Sequence, residues 1–237
     1  MPIESIDIPT GLAPEQGAGC ATVGGRLHRP DRDRGGSVIL LAHGAGAGMD
    51  SELLVAVASG LAERGLPVLR FNYAYAERAA REERRRPPDR RPRLEAVHGA
   101  ALDALRMRYP ERRVVLAGKS MGGRIASYLS AVGAHDSALL FLGYPLHPRE
   151  QPEQLRSEHF GAIAVPALFL QGTRDALCDL ELLRRELETF GGIVTLRVIE
   201  GADHDFRVLK RSGRTRAEVL VELVDAIDEW ERSTFPD

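Results

Sequence analysis

The sequence predicts an α/β fold: a mostly parallel central sheet of about seven or eight strands, flanked by helices on both faces. Three observations carry this. Short apolar runs such as "SVILLAH" (37–43) and "VPALFLQG" (165–172) do not alternate with polar residues, so these strands are covered on both faces. Helical patterns separate most of these runs, as strand–helix–strand crossovers require. Glycine, serine, aspartate and histidine also gather just beyond the ends of the runs, the edge at which parallel sheets bind their ligands.

Taken in order, two N-terminal strands are expected around 3–8 and 19–27. The strand 37–43 precedes a helix over 51–65, "SELLVAVASGLAERG", which Gly65 ends. "LPVLRFNY" (66–73) is the next strand and 93–109 the next helix. "RRVVLAG" (112–118) runs into a turn at Ser120 and then a helix. Strands over 137–145, 165–172 and 193–201 follow, with a helix near 178–190 between the last two and another near 215–231. One biased stretch interrupts the alternation: "AERAAREERRRPPDRRPR" (76–93) carries eight arginines, four acidic residues and three prolines. It reads as an exposed strand-to-helix connection. Its arginines form either a solvated face, partly neutralised by Glu77, Glu82, Glu83 and Asp89, or a rim that offers guanidinium groups to an anionic substrate.

The bulk numbers bound the function. The 237 residues form one domain over 1–237, with no linker between two cores. Hydrophobic residues make up 43% of the chain and charged ones 28%, enough apolar material for a full core. A net charge of −2 gives no general attraction to nucleic acid or to an anionic membrane. Cys20 and Cys178 have neither the number nor the spacing of a disulfide framework or a zinc site. The start "MPIESIDIPTG" lacks the basic and apolar regions of a signal peptide, and no run is long enough to span a bilayer. A cytoplasmic location is therefore expected. The sequence sets no oligomeric state.

The chemistry centres on Gly118-Lys119-Ser120-Met121-Gly122, which fits G-x-S-x-G between an apolar strand and a helix. Small flanking residues suit a turn where strand and helix come too close for a side chain, and the strain there would hold a serine hydroxyl out at the sheet edge. A serine nucleophile needs a base, and the base needs an orienting acid. In this arrangement the order is serine, acid, histidine. Asp175 follows strand 165–172 and His204 follows strand 193–201, so both order and position fit. Asp179 is expected inside the next helix, while Asp203 and Asp205 flank His204 and point away from its ring. The backbone N–H of Met121 is one expected oxyanion donor. A second, assigned to Ala45, comes from the small-residue loop His43-Gly44-Ala45-Gly46-Ala47-Gly48, which lacks the spacing of a nucleotide-binding loop. Tyr144 and His147 either line the pocket or pack their loop over the sheet edge. No metal or cofactor is expected. Only about twenty residues, Tyr144 to Ala164, lie where a lid would be inserted, which points to an open site and small ester or thioester substrates.

Together "LAHGAGAGMDS", "GKSMGGR", "GYPLHP", "LFLQGTRD" and "EGADHDF" resemble the α/β-hydrolase superfamily. More narrowly they resemble small bacterial hydrolases of the dienelactone-hydrolase-like group, which is related to testis-expressed and NSL-complex-subunit proteins of animals. The resemblance runs from strand 37–42 to the last helix and implies an α/β-hydrolase fold with a Ser120–Asp175–His204 triad. Dienelactone hydrolase itself uses a cysteine nucleophile where this chain has Ser120, so its lactone substrate does not carry over. Two other functions fit the same chain: a non-catalytic interaction module on a hydrolase fold, and an acyltransferase that uses the same triad.

Overall fold

The computed structural model describes residues 2–12, 20–134 and 137–236. Its eight strands are β1 (Ile3–Pro9), β2 (Thr22–His28), β3 (Ser37–Ala42), β4 (Val68–Phe71), β5 (Arg113–Lys119), β6 (Ala138–Leu142), β7 (Ala167–Gly172) and β8 (Val194–Ile199). They form one sheet in the order β1-β2-β4-β3-β5-β6-β7-β8. β1 and β2 are antiparallel to their neighbours, and the six strands from β4 to β8 run parallel. The fold is the predicted α/β-hydrolase architecture. Gly19, the first residue of the second expected strand, lies outside the described residues.

Among the described residues six helices cover the sheet: α1 (Glu52–Glu63), α2 (Ala74–Arg81), α3 (Arg91–Arg108), α4 (Met121–Ala131), α5 (Leu180–Leu187) and α6 (Arg216–Thr234). The side-chain period of a strand decides which layer each residue joins. On β3, Val38, Leu40 and Ala42 point into a core shared with α3 and α4. Ile39 and Leu41 point into the opposite core, closed by Leu54, Val57 and Leu61 of α1 and by Val219, Leu223 and Ile227 of α6. All six residues of β3 are buried, which explains the unbroken apolar run in the sequence.

Two expected features differ in detail. The arginine-rich stretch is not one extended connection, because Ala74–Arg81 forms α2. Ala74, Tyr75, Ala76 and Arg78 are buried there, and this tertiary burial outweighs the charge density that suggested a loop. The connection proper covers 82–90 and contains Pro87 and Pro88, while Pro92 occupies the first turn of α3, where a missing N–H costs nothing. Between β6 and β7 the chain forms only turns and a short 3-10 segment, Phe160–Ala162, so no separate cap covers the sheet edge.

The topology itself creates a cleft. From β3 the chain crosses by α1 to β4, and from β5 it crosses by α4 to β6 on the other side. β3 and β5 are neighbours, so the loops leaving their C-terminal ends diverge onto opposite faces.

Three buried histidines tie folding to pH. Burial, with the nearby Arg70 cation, pushes His28 down to about 4. Burial likewise pushes His43 to about 4 and His98 to about 3. In the unfolded chain histidines titrate near 6.5, so below about that pH the unfolded state binds more protons than the folded one and stability falls. The urea midpoint should drop steadily from pH 7 to pH 4.5. A constant midpoint over that range would contradict the burial of these side chains in neutral form.

Candidate active site

The turn between β5 and α4 is set by close packing. A Cβ on Gly118 would stand 2.3 Å from the backbone of Gly122 and Gly123, and one on Gly122 would stand 2.7 Å from the carbonyl oxygens of Ala42 and His43. Neither position can hold a side chain. Ser120 sits at φ 51° and ψ −115°, in a region that residues other than glycine seldom adopt. Its N–H donates to the Leu142 carbonyl at 3.1 Å and its carbonyl accepts from Arg124 N–H at 3.0 Å. The neighbouring strand and the first turn of α4 therefore hold the strained conformation, with the hydroxyl above the sheet edge.

His204 reaches this hydroxyl from the loop after β8. Its Nε2 lies 2.9 Å from Ser120 Oγ and its Nδ1 2.7 Å from Asp175 Oδ2. The fully buried Asp175 side chain fixes the tautomer. Nδ1–H donates to the carboxylate, which leaves Nε2 to accept the serine proton. Asp175 is held in turn: Gln171 Nε2 donates to Oδ2 at 2.6 Å and Leu177 N–H to Oδ1 at 2.8 Å. The loop of His204 is closed by Asp203, whose Oδ1 accepts from the N–H groups of Asp205 and Arg207 at 2.9 and 2.8 Å. Asp179 stands at the N-cap of α5, accepting from Leu182 N–H, not inside the helix as its spacing suggests.

The loop after β3 is oriented from below. His43 Nε2 accepts from Tyr73 N–H at 3.1 Å, so its proton is on Nδ1, which donates to the Gly44 carbonyl at 2.8 Å. The Tyr75 hydroxyl lies 3.1 Å from the same carbonyl and 3.0 Å from that of Ala45. With the Gly44 carbonyl drawn down, the trans peptide turns Ala45 N–H the other way. Among the described residues neither Ala45 N–H nor Met121 N–H has an acceptor. Sequence reasoning missed His43, Tyr75 and Gln171 as supports. Their only signal was a polar side chain next to a strand end, and their partners are distant in the chain.

Ser120 and His204 open into a cleft of about 470 Å³ bounded by Gly44–Ala47, α1 and the loop after β8, with Lys119, Asp205, Arg207 and Arg216 among its walls. Tyr144 and His147 do not line it, and the pocket contact considered for them is corrected here. Tyr144 is fully buried, packs against Phe141, Phe160 and Phe169, and donates its hydroxyl to the Arg156 carbonyl at 2.7 Å. His147 Nε2 accepts from Asp179 N–H at 2.9 Å and so ties its loop to the start of α5. Both residues follow β6, whose chain turns down over the aromatic core instead of toward Ser120.

A second, larger cleft of about 710 Å³ lies across the 45–47 loop, floored by Tyr75, Ala76 and Ala79 and edged by Arg84–Arg86. Arg84 and Arg86 both pair with Glu82, and Arg78 pairs with Asp89. Three of the eight arginines thus share two carboxylates, and part of the positive charge in this stretch is neutralised within it. Among the described residues no group of three or more His, Cys, Asp or Glu side chains has metal-binding geometry. No helix there is long and apolar enough to cross a membrane.

The family model of an alpha/beta hydrolase domain matches residues 35–232. The chain belongs to the α/β-hydrolase family. Among solved structures it is similar to dienelactone hydrolase from Anabaena variabilis, with 20% identity, coverage of 99% of this chain and 98% of that one, and a TM-score of 0.73. An α/β serine hydrolase without a lid from Xanthomonas campestris gives 18% identity, coverage of 99% and 96%, and a TM-score of 0.72. Est1E from Butyrivibrio proteoclasticus gives 15%, 97% and 99%, and 0.69. These likenesses establish the fold and fit the absence of a separate cap in this hydrolase.

The strained turn leads to a direct expectation. Gly118→Ala forces β5 and α4 apart, because the new methyl meets backbone and not a movable side chain. Overpacking of this kind costs about 1–3 kcal/mol or more. Chemical unfolding should show that loss, whereas Gly46→Ala, where a Cβ meets nothing within 4 Å, should change stability far less.

Proposed function

We propose that this α/β hydrolase is a serine esterase or thioesterase that acts through an acyl-Ser120 intermediate. The observation that carries the reading is the continuous hydrogen-bond chain from Ser120 Oγ through His204 to the buried Asp175, assembled at the strained turn. As Oγ attacks the ester carbonyl carbon, His204 Nε2 takes the hydroxyl proton, and Asp175 stabilises the imidazolium that forms. The carbonyl oxygen becomes an oxyanion that accepts from Met121 N–H and Ala45 N–H. Among the described residues these two donors have no acceptor, and one stands at the positive end of α4. Collapse of the tetrahedral intermediate expels the alcohol or thiol, which takes its proton from His204. Water then attacks the acyl-serine with His204 again as base, releasing the acid. No metal or organic cofactor enters any step.

The substrate we infer is small. The cleft holds about 470 Å³, is open, and has no cap above it. Ferulic acid, which has been seen bound to Est1E, is a ligand of that scale. Acyl transfer to an acceptor other than water needs only that the acceptor displace water at the second step, and the open cleft admits it. A scaffold role explains less: docking does not need an orienting carboxylate, itself held by two donors, behind a histidine.

Ser120→Ala should abolish covalent labelling by a fluorophosphonate probe while leaving the thermal midpoint nearly unchanged. Labelling at the wild-type rate would refute the assignment. Asp175→Asn should lower kcat by several orders of magnitude, by analogy with the roughly 10⁴-fold loss in a serine protease triad. Only a neutral ring can accept the Ser120 proton, so His204→Gln should abolish turnover and probe labelling, and wild-type activity in that variant would exclude His204 as the base.

A further inference from the structure

Lys119 immediately precedes Ser120, and the mechanism above gives it no role. Its side chain is only 8% exposed. The stem runs beside the loop after β3: a Cβ on Gly44 would stand 3.5 Å from Lys119 Cγ. The ammonium emerges in the wall of the Ser120 cleft, 3.7 Å from Asp205 Oδ1 on the loop that carries His204. One side chain thus lies beside one of the loops that the proposed chemistry must hold in register and pairs by charge with the other.

The surrounding charges are specific. Asp205, Asp175 and Asp203 all act to keep the proton on Lys119, with Asp205 the strongest. Burial acts against them and prevails, pushing the ammonium down to about 8. Glu52, Arg207 and Arg216 also line the cleft. Arg216 pairs with Glu52 at 3.7 Å and donates to the Asp205 carbonyl, and so holds the backbone of the same loop. The stem of Lys119 would fill its space beside Gly44 whatever its charge. Only the charged form can draw the Asp205 carboxylate inward.

We propose that Lys119 is a positioning residue of this site, whose ammonium holds the His204 loop against the loop carrying Ala45, so that turnover requires Lys119 to be protonated. This rests on the serine-hydrolase reading. It predicts an alkaline limb that the His204–Asp175 pair by itself would not produce: activity falls as pH passes through about 8.

The test is the pH profile of kcat/KM, from pH 6 to 10, for 4-nitrophenyl butyrate, a neutral ester, corrected for spontaneous hydrolysis. Wild type, Lys119→Met, Lys119→Arg and Asp205→Asn are compared, with fluorophosphonate labelling as a second readout. Lys119→Met should lose about tenfold at neutral pH and show no alkaline limb. Lys119→Arg should recover most of the activity and also lack the limb, because a guanidinium keeps its proton throughout. Asp205→Asn should lose activity at neutral pH to about the same extent as Lys119→Met and also lack the limb, since it removes the carboxylate that the ammonium draws inward. Asp205 is 57% exposed, so this variant tests the idea even if Lys119→Met does not fold. An alkaline limb unchanged in the lysine variants or in Asp205→Asn overturns the proposal, as does Lys119→Arg being as impaired as Lys119→Met. If wild type shows no Ser120-dependent turnover or labelling at all, the hydrolase reading itself fails.

Discussion

The close approach of β5 to α4 is the constraint around which the site is organised. At Gly118, Gly122 and Gly123 backbone lies against backbone, with no room for a Cβ at any of the three positions. Ser120 can then be held at φ 51°, because the hydrogen bonds of its N–H and carbonyl belong to β6 and α4 and cannot be kept in an ordinary conformation. Backbone strain of this kind costs about 1–3 kcal/mol and persists only where the surroundings overdetermine it. Here they do: β5 lies between β3 and β6, and its residues from Val114 to Lys119 are buried.

The rest of the site is arranged around that fixed hydroxyl. The crossover from β3 leaves on one face and that from β5 on the other, which opens the cleft and places the Gly44–Ala47 loop on one side of Ser120. The histidine and its carboxylate come from the ends of the last two strands, and short hydrogen bonds support each of them. Gln171 links Asp175 to the Tyr144 N–H, so the aromatic core beneath the site also orients the acid. His43 plays the corresponding part beneath the Ala45 loop. Burial keeps it neutral, so that one ring nitrogen can accept from Tyr73 while the other donates to Gly44. Gln171 beneath the acid and His43 beneath the Ala45 loop are both neutral dipoles, fixed by their own hydrogen bonds.

The arginine-rich stretch shows how far composition alone can mislead about a surface. Eight arginines within eighteen residues suggest a strongly cationic rim. In the folded chain several are absorbed: Arg78 with Asp89, Arg84 and Arg86 on Glu82, Arg91 with Glu95. The edge that Arg84–Arg86 give to the second cleft is therefore less positive than the bare count implies.

What the sequence by itself determined is the local pattern. The central strands β3 to β7, buried on both faces, read as largely apolar runs, and the partly exposed β1, β2 and β8 were legible as well. The turn at Ser120 was legible because its requirement for small residues is written within five positions, and Asp175 and His204 because each follows a strand directly. The tertiary structure decided whatever depends on a distant partner. Burial of Tyr75 and Arg78 made α2 a helix despite its charge, and the descent of the chain after Leu142 took Tyr144 and His147 out of the cleft. His43, Tyr75, Gln171 and Lys119 acquired their parts only when strands far apart in sequence became neighbours. A hydrogen bond or ion pair across such a distance leaves no periodicity in the chain, because what fixes it is the position of the partner and not the identity of adjacent residues.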